Sequence, residues 1–426
     1  MRIKREDGIL FIIVVFMASN ISAMFEYYFE NIFGGYFRYL ISILVILFFG
    51  IELLLYSHRK VAKSRSYYYI QFQILFVVLY GFLYFVNHQL LSDNSNQPFN
   101  ISSYTVLALQ NIAVLLIGNY IVLRASESVL KRTVAAYFIL VIIDCLFSLY
   151  YLSINDQALR ISSWVTGESF LASTGLHGVC NALHIYSFVA LLPVLLFLIK
   201  ERQRKIFPII LFALTLITVL RAGYTMAMTI AVVYCLIVLV YSITTNKVIR
   251  LLSTVGILLV FLLINWSAIF LFLAKHLSNA SVSQRFYDLY QLMSLGQSGD
   301  ALTSRINVYS RGLEGFQKSP IWGNVLSGNR IISMHSTIID ILSDWGLIGF
   351  LLYFGFLYSL RRTVMTFASA DTTRWARHTF ILYYITITIN TLGRYANGTM
   401  VVAVVLPAIL IIHRLHLDEE KSASIS

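Results

Sequence analysis

Charged residues are scarce in this chain: Asp, Glu, Lys and Arg make up only 12% of its 426 residues, whereas 58% are apolar. Soluble domains carry about 25% charged residues, and a soluble fold of this size could not cover so much apolar surface with polar groups. The shortage of charge therefore excludes a soluble globular protein and predicts a chain whose solvent is lipid.

Cysteine is also rare. Cys145, Cys180 and Cys235 are the three cysteines, and they lie in or beside apolar runs without the spacing of metal ligands. Thiols in such positions behave as small apolar side chains. We expect no disulfide and no metal site from them.

Acidic residues are fewer than basic ones, 20 against 32, which gives a formal net charge of +12. The basic residues occupy every second loop between apolar runs, whereas residues 88–103 contain none. This alternation sets membrane orientation and predicts that both termini are cytoplasmic. It does not predict binding to nucleic acid. The basic clusters are Arg2/Lys4/Arg5, Arg59/Lys60/Lys63/Arg65, Arg124/Lys131/Arg132, Lys200/Arg202/Arg204/Lys205, Lys247/Arg250 and Arg361/Arg362/Arg374/Arg377.

The apolar runs have the length of helices that cross a bilayer. The pattern predicts an all-α polytopic membrane bundle of about 12 transmembrane helices, the first of them an uncleaved anchor. The spans fall at 8–28, 36–56, 68–87, 104–123, 133–153, 180–199, 206–221, 224–243, 251–274, 338–360, 379–395 and 398–413. A re-entrant hairpin is the alternative for 206–221 with 224–243. The chain then divides into a bundle at 1–274, a large extracytoplasmic loop at 275–337, and a bundle with a cytoplasmic tail at 338–426.

The large outer loop carries two amphipathic segments. Residues 305–318 place Ile306, Tyr309, Leu313 and Phe316 on one face of a helix that Pro320 ends. Residues 282–293 have a similar pattern. Both are predicted to lie in the membrane interface, or to cap the bundle as surface helices. A glycine-containing loop at 322–330 follows, where the backbone could approach a phosphate or a sugar closely.

His335 stands just before the next predicted helix. Thr337 and Asp340 have the spacing of a capping box, which places His335 near the positive helix end and favours its neutral form. A neutral imidazole can act as a general base, although an ordinary interfacial histidine is the alternative. Helix capping is the preferred interpretation of Asp340, which is also a supporting site candidate. Asp344 lies one turn beyond Asp340 and is a supporting candidate or a lumen-facing residue.

Polar residues within the spans have functional and structural interpretations. Asp144 is expected to be neutral or paired, because an ionised carboxylate is expensive at mid-membrane. Glu52 is near a cytoplasmic helix end and can snorkel. His184 lies near an outer helix end, either as a supporting site residue or as a packed, hydrogen-bonded histidine.

The stretch from residue 304 to 349 resembles the O-antigen ligase and polymerase superfamily. The residues that carry the resemblance are Ser304-Arg305, Tyr309, Gly312-Leu313-Glu314, Phe316, Pro320-Ile321-Trp322-Gly323, His335-Ser336, Ile339-Asp340 and Asp344-Trp345-Gly346-Leu347-Ile348-Gly349. Members are bacterial membrane glycosyltransferases with a GT-C-like fold that use sugars on undecaprenyl pyrophosphate. The resemblance implies a metal-independent transferase without a cofactor.

The resemblance also implies roles for basic residues. Arginines grip phosphate oxygens through paired hydrogen bonds, and Arg221, Arg305 and Arg160 are the candidates for the pyrophosphate, with Arg311 as a further one on the solvent face. Arg221 is expected to face the bundle interior, since a lipid-exposed charge is costly. Each arginine has the alternative of an ordinary snorkelling anchor. His335 would be the base that activates the acceptor hydroxyl.

The expected function is that of a polymerase of O-antigen, capsule or exopolysaccharide, which joins lipid-linked repeat units in the bacterial inner membrane with its active site on the outer side. A ligase that transfers the finished glycan to lipid A core or another acceptor is the alternative. A flippase for lipid-linked oligosaccharides is the alternative of another class, although the sequence shows no internal repeat. The expected partners are the undecaprenyl-pyrophosphate-linked oligosaccharide, the lipid bilayer, a chain-length regulator and a flippase.

Overall fold

A computed structural model describes residues 5–34, 36–57, 101–156, 158–159, 178–201, 206–243, 255–256, 266–276, 280–295, 300–324, 336–394 and 396–425. Every regular element within those ranges is helical, so the predicted all-α class is confirmed there. The predicted span at 68–87 and most of the one at 251–274 lie outside the described residues.

The helices follow the apolar runs closely. In chain order they are α1 (Arg5–Asn20), α2 (Ala23–Phe33), α3 (Phe37–Ser57), α4 (Ile101–Leu123), α5 (Glu127–Ile154), α6 (Ala182–Glu201), α7 (Ile206–Arg221), α8 (Thr225–Ile243), α9 (Trp266–His276), α10 (Ala280–Leu295), α11 (Asp300–Lys318), α12 (Thr337–Met365), α13 (Thr373–Ile389), a 3-10 turn (Thr391–Arg394), α14 (Ala396–Met400), a π-helical turn (Val401–Val405) and α15 (Leu406–Ile425).

Several of these helices are long and apolar enough to cross a membrane. Among the described residues they are α5, α6, α12 and the continuous stretch Ala396–Glu420. The bent pair α1 and α2 is a fifth candidate if the pair counts as one span. Long apolar helices of this kind indicate a multi-pass membrane protein. The centre of the bundle is α6, in which every residue from His184 to Leu195 is buried.

The first predicted span is not one helix. The run 8–28 breaks after Asn20, and α2 leaves α1 at an angle of 93°. Ser22 is the N-cap of α2 and accepts a hydrogen bond from the Phe25 N–H. Apolar content alone concealed this break, because the residues on both sides of it are apolar.

Segments predicted to be cytoplasmic meet at one end of the bundle. Glu52 pairs with both Arg5 and Arg124, so it is held by two guanidinium groups and does not simply snorkel. Asp7 pairs with Arg132 at 2.9 Å. This grouping agrees with the alternation of basic loops along the sequence.

Candidate functional site

Helix α12 is broken inside at Gly346. This residue has φ 61° and ψ −160°, a conformation that only glycine adopts readily. The break separates a short N-terminal half from the long remainder of the helix. It therefore interrupts the regular hydrogen bonds of α12 within the motif Asp344-Trp345-Gly346.

The segment after α11 fills this break. The Leu347 N–H donates to the Pro320 carbonyl at 2.8 Å, and the Ile348 N–H donates to the Ile321 carbonyl at 3.3 Å. In an unbroken helix both N–H groups would bond to carbonyls four residues earlier. The loop backbone thus replaces the hydrogen bonds that the break removes.

Asn324 completes the exchange from the other side. The Ser343 carbonyl, which has lost its helical donor, accepts from the Asn324 N–H at 3.0 Å and from its Nδ2 at 2.9 Å. The same Nδ2 donates to the Gly315 carbonyl of α11 at 2.6 Å. Asn324 is only 4% exposed, so one buried amide ties α11 to α12.

Two glycines make this approach sterically possible. Gly323 has φ +70°, and a Cβ there would overlap the backbone at Asp344 and Trp345. A Cβ on Gly346 would lie 2.5 Å from the Ile321 carbonyl oxygen and 2.6 Å from the Gly323 nitrogen. We call residues 319–324 together with 343–348 the glycine clasp. Gly323 therefore contacts another backbone, whereas the sequence predicted an approach to a phosphate or sugar.

The short half of α12 carries two buried carboxylates. Asp340 is 0% and Asp344 2% exposed, and the two lie one turn apart. Buried carboxylates need polar partners, and both residues make further polar or electrostatic interactions. They are therefore held inside the protein directly beside the clasp.

The predicted capping box at the start of α12 is wrong. Ser336 is the N-cap, and its hydroxyl accepts from the Ile339 N–H. Thr337 already lies in the helix, and its hydroxyl donates to the Asn390 carbonyl at 3.0 Å and accepts from the Gly393 N–H at 3.2 Å. The start of α12 is thereby tied to the end of α13, and Asp340 does not cap the helix.

Helix α11 extends the predicted segment 305–318 at its start and ends at Lys318, shortly before Pro320. Its buried surface differs from the expected one, because Gly312 and Gly315 are buried, whereas Leu313 is 45% exposed. Small residues let α11 approach α12 closely enough for the Asn324 bridge.

The second amphipathic segment, predicted at 282–293, is found as α10. Phe286 is its buried anchor, and its ring stacks on that of Phe270 in α9 with centroids 5.8 Å apart.

Arg221 does not face the bundle interior. Its side chain is 51% exposed, and Nη2 lies 3.8 Å from Oδ1 of Asp156, which is similarly exposed. The following residues Ala222 and Tyr224 take the buried positions instead, and the Tyr224 hydroxyl donates to the Leu159 carbonyl at 2.8 Å. An exposed guanidinium with one loose ion pair is accessible to an anionic ligand.

His184 is buried and hydrogen-bonded within the bundle. Its Nε2 lies 3.1 Å from the Ile21 carbonyl at the α1–α2 break, and its Nδ1 lies 2.9 Å from Oδ1 of Asn181. Asn397 donates to the same Ile21 carbonyl at 3.1 Å. This is the packed arrangement that the structural interpretation of His184 expects.

The remaining candidates are only partly described. Arg311 is exposed on α11, in agreement with a solvent-facing position. His335 and Arg160 lie outside the described residues, as do residues 325–330. The backbone of Arg305 belongs to α11, but its side chain is not described. The described site thus consists of the clasp, Asp340 and Asp344 on α12, and Arg311 on the exposed face of α11.

Within the described ranges, no three His, Cys, Asp or Glu residues are grouped as metal ligands would be. The fold and these contacts define the chain as an all-α, multi-pass membrane protein. No family model matches the sequence, and a comparison with curated proteins finds no similar chain.

Proposed function

We propose that this protein is an inner-membrane glycosyltransferase that polymerises lipid-linked oligosaccharide repeat units. The observation that supports the proposal is the glycine clasp. Pro320-Ile321-Trp322-Gly323 and Asp344-Trp345-Gly346-Leu347-Ile348-Gly349 are two of the parts of the stretch 304–349 that resemble O-antigen polymerases and ligases. They are joined backbone to backbone, because Leu347 and Ile348 donate to the Pro320 and Ile321 carbonyls. The resemblance thus falls on residues that hold the loop after α11 against the break in α12.

In the proposed enzyme the glycine clasp positions the residues on either side of His335. It holds Gly323 and Asn324, the last described residues before His335 in the sequence, and the α12 half that carries Asp340 and Asp344. In the proposed reaction His335 takes the proton of the acceptor hydroxyl as its oxygen attacks the anomeric carbon. The bond from that carbon to the pyrophosphate oxygen breaks, and undecaprenyl pyrophosphate leaves with the electron pair.

The leaving group is strongly anionic, so the reaction needs fixed positive charge nearby. Arg221, Arg305, Arg160 and Arg311 are the proposed sources. Arg221 suits this role because its guanidinium is half exposed and its contact to Asp156 is long, at 3.8 Å. An exposed pair of this kind contributes about 0–1 kcal/mol, which a pyrophosphate can readily displace.

The number of spans and the orientation belong to the same proposal. We propose about 12 transmembrane helices, both termini in the cytoplasm and the clasp on the outer side. Arg132, paired with Asp7, lies near the start of α5, and Asp156, paired with Arg221, lies just after its end. The two ion pairs are thus at opposite ends of a long apolar helix, which supports opposite sides of the membrane for them.

The experiment is to mix the purified protein with undecaprenyl-pyrophosphate-linked repeat units and to analyse the glycan products. A ladder of polymers supports the polymerase. A single transfer to a different acceptor would indicate a ligase, and translocation in vesicles without any new glycosidic bond would indicate a flippase. His335→Ala should abolish the ladder while membrane insertion stays intact.

A further inference from the structure

Helix α2 is set nearly at a right angle to α1. It contains 11 residues, Ala23–Phe33, and turns away from α1 by 93°. The direction of α1 is fixed by its contacts with α3. Arg5 pairs with Glu52 at one end, and Asn20 accepts from the Ser42 hydroxyl at 3.3 Å at the other.

The neighbours of α1 bear on how α2 meets the membrane. α1 packs against the apolar helix α3 and against α5, which is long and apolar enough to cross a membrane. A helix perpendicular to such a span lies parallel to the membrane surface. The 16 residues of α1 span about 24 Å, a little less than the hydrocarbon core of about 30 Å. The break therefore falls close to one boundary of that core.

A buried carboxylate holds α2 in this direction. Asp144 of α5 is 3% exposed and accepts from the Ser22 hydroxyl at 2.7 Å, from the Ala23 N–H at 3.2 Å and from the Met24 N–H at 3.1 Å. These are the free donors of the first turn of α2. The start of α2 is thus anchored to α5 within the bundle.

The charged residues of α2 are paired on its own inner side. Glu26 and Glu30, one turn apart, both pair with Arg38 at the start of α3. A carboxylate without a partner would be expensive at this depth. The shared guanidinium lowers that cost, and the opposite edge of α2 carries no charged residue.

That opposite edge is apolar and exposed: Tyr28 is 43% and Ile32 68% exposed. Phe33 lies on the side of α2 that carries Glu30, three residues earlier, and its ring stacks on that of Phe37. Tyr36 follows α2 and is 84% exposed, and the Leu40 N–H donates to its carbonyl. Tyr36 thus leads into an exposed apolar stripe on α3, formed by Leu40, Ile43, Leu44, Leu47 and Ile51. The stripe has the spacing of one helix face, and lipid is the solvent that such a face of a membrane helix meets.

We propose that α2 is an in-plane interfacial helix whose edge Tyr28–Ile32 is immersed in the bilayer at the boundary between headgroups and acyl chains. Tyrosine favours this boundary because the ring is apolar and the hydroxyl is polar. The occupant of the surface is the phospholipid itself, since α2 is connected through Tyr36 to the exposed apolar stripe of α3. The proposal does not depend on the glycosyltransferase function.

Spin labels test this placement. Tyr28→Cys and Ile32→Cys are made singly in a Cys235→Ser full-length background, because Cys145 and Cys180 are buried. The proteins are placed in phosphatidylethanolamine–phosphatidylglycerol vesicles. Collision rates with oxygen and with a water-soluble nickel chelate then give the depth of each label. We expect oxygen to dominate at both positions, at one common depth within about 10 Å of the headgroups.

Labels on α3 supply the matched control. Leu40→Cys and Leu47→Cys are equally exposed to lipid, but their depths should differ by about 10 Å, at 1.5 Å per residue. A depth that changes along α2 as steeply as along α3 would overturn the proposal. So would dominant collisions with the nickel chelate, which mean water, or low rates with both reagents, which mean a covering protein such as a second copy.

Discussion

Replacing Gly346 with Ala should open the glycine clasp and allow α12 to become continuous. At φ 61° and ψ −160° a non-glycine residue carries about 1–3 kcal/mol of strain. The added Cβ would also lie 2.5 Å from the Ile321 carbonyl oxygen, which forces the loop away. The two backbone hydrogen bonds from Leu347 and Ile348 to this loop are worth about 1 kcal/mol each.

The expected loss in clasp stability is therefore about 3–5 kcal/mol. Part of it returns if α12 straightens, because alanine is favoured over glycine within a helix by about 1 kcal/mol. Unfolding in detergent micelles, followed by tryptophan fluorescence, measures the change, and Trp322 and Trp345 report on the clasp directly. Limited proteolysis should cut the released segment near residue 320.

Gly355→Ala is the matched control on the same helix. Its added Cβ meets nothing within 4 Å, so this variant should be as stable as the original or slightly more stable. If Gly346→Ala unfolds at the same point as Gly355→Ala and resists the protease equally well, the clasp does not hold these segments together.

Three further substitutions test other contacts. Asn324→Ala removes the amide that joins α11 to α12 and should cost about 1–3 kcal/mol in thermal unfolding, and an unchanged transition would show that the bridge is dispensable. Asp144→Ala leaves the donors at the start of α2 without their acceptor. It should lower the unfolding temperature more than Asp144→Asn, because the Asn amide oxygen still accepts. Equal unfolding temperatures for the two variants would contradict this role of Asp144. Arg221→Lys should change stability by less than about 1 kcal/mol but strongly reduce glycan transfer, because lysine lacks the planar fork that grips phosphate. Full transfer activity would leave Arg221 with no role in phosphate binding.

Several helices could be predicted from the sequence because their signal is local. Apolar length placed α4, α6, α7 and α8 within three residues of their observed bounds and α5 within six. Local apolar content could not reveal the break at Ile21, since its cause is Asp144, a residue more than a hundred positions away. Nor could it reveal that Thr337 bonds to Asn390.

The candidate site was predictable as a region but not as an arrangement. The motif around Pro320, Gly323 and Gly346 stood out in the sequence, and the structure brings its parts together. The exchange of backbone hydrogen bonds was not visible there, because it depends on the left-handed conformation of two glycines meeting across the fold. Asn324 was missed for the same reason. The sequence marks Asn324 only by its position directly after Gly323, in the short segment that follows α11 and Pro320.

The transfer reaction itself is tested most directly by its stoichiometry. Protein in proteoliposomes is supplied with undecaprenyl-pyrophosphate-linked repeat units, and released undecaprenyl pyrophosphate is counted against new glycosidic bonds. The account predicts one released carrier for every bond formed, and neither product with His335→Ala. Movement of intact lipid-linked units without any carrier release, or equal release by the His335→Ala protein, would contradict it.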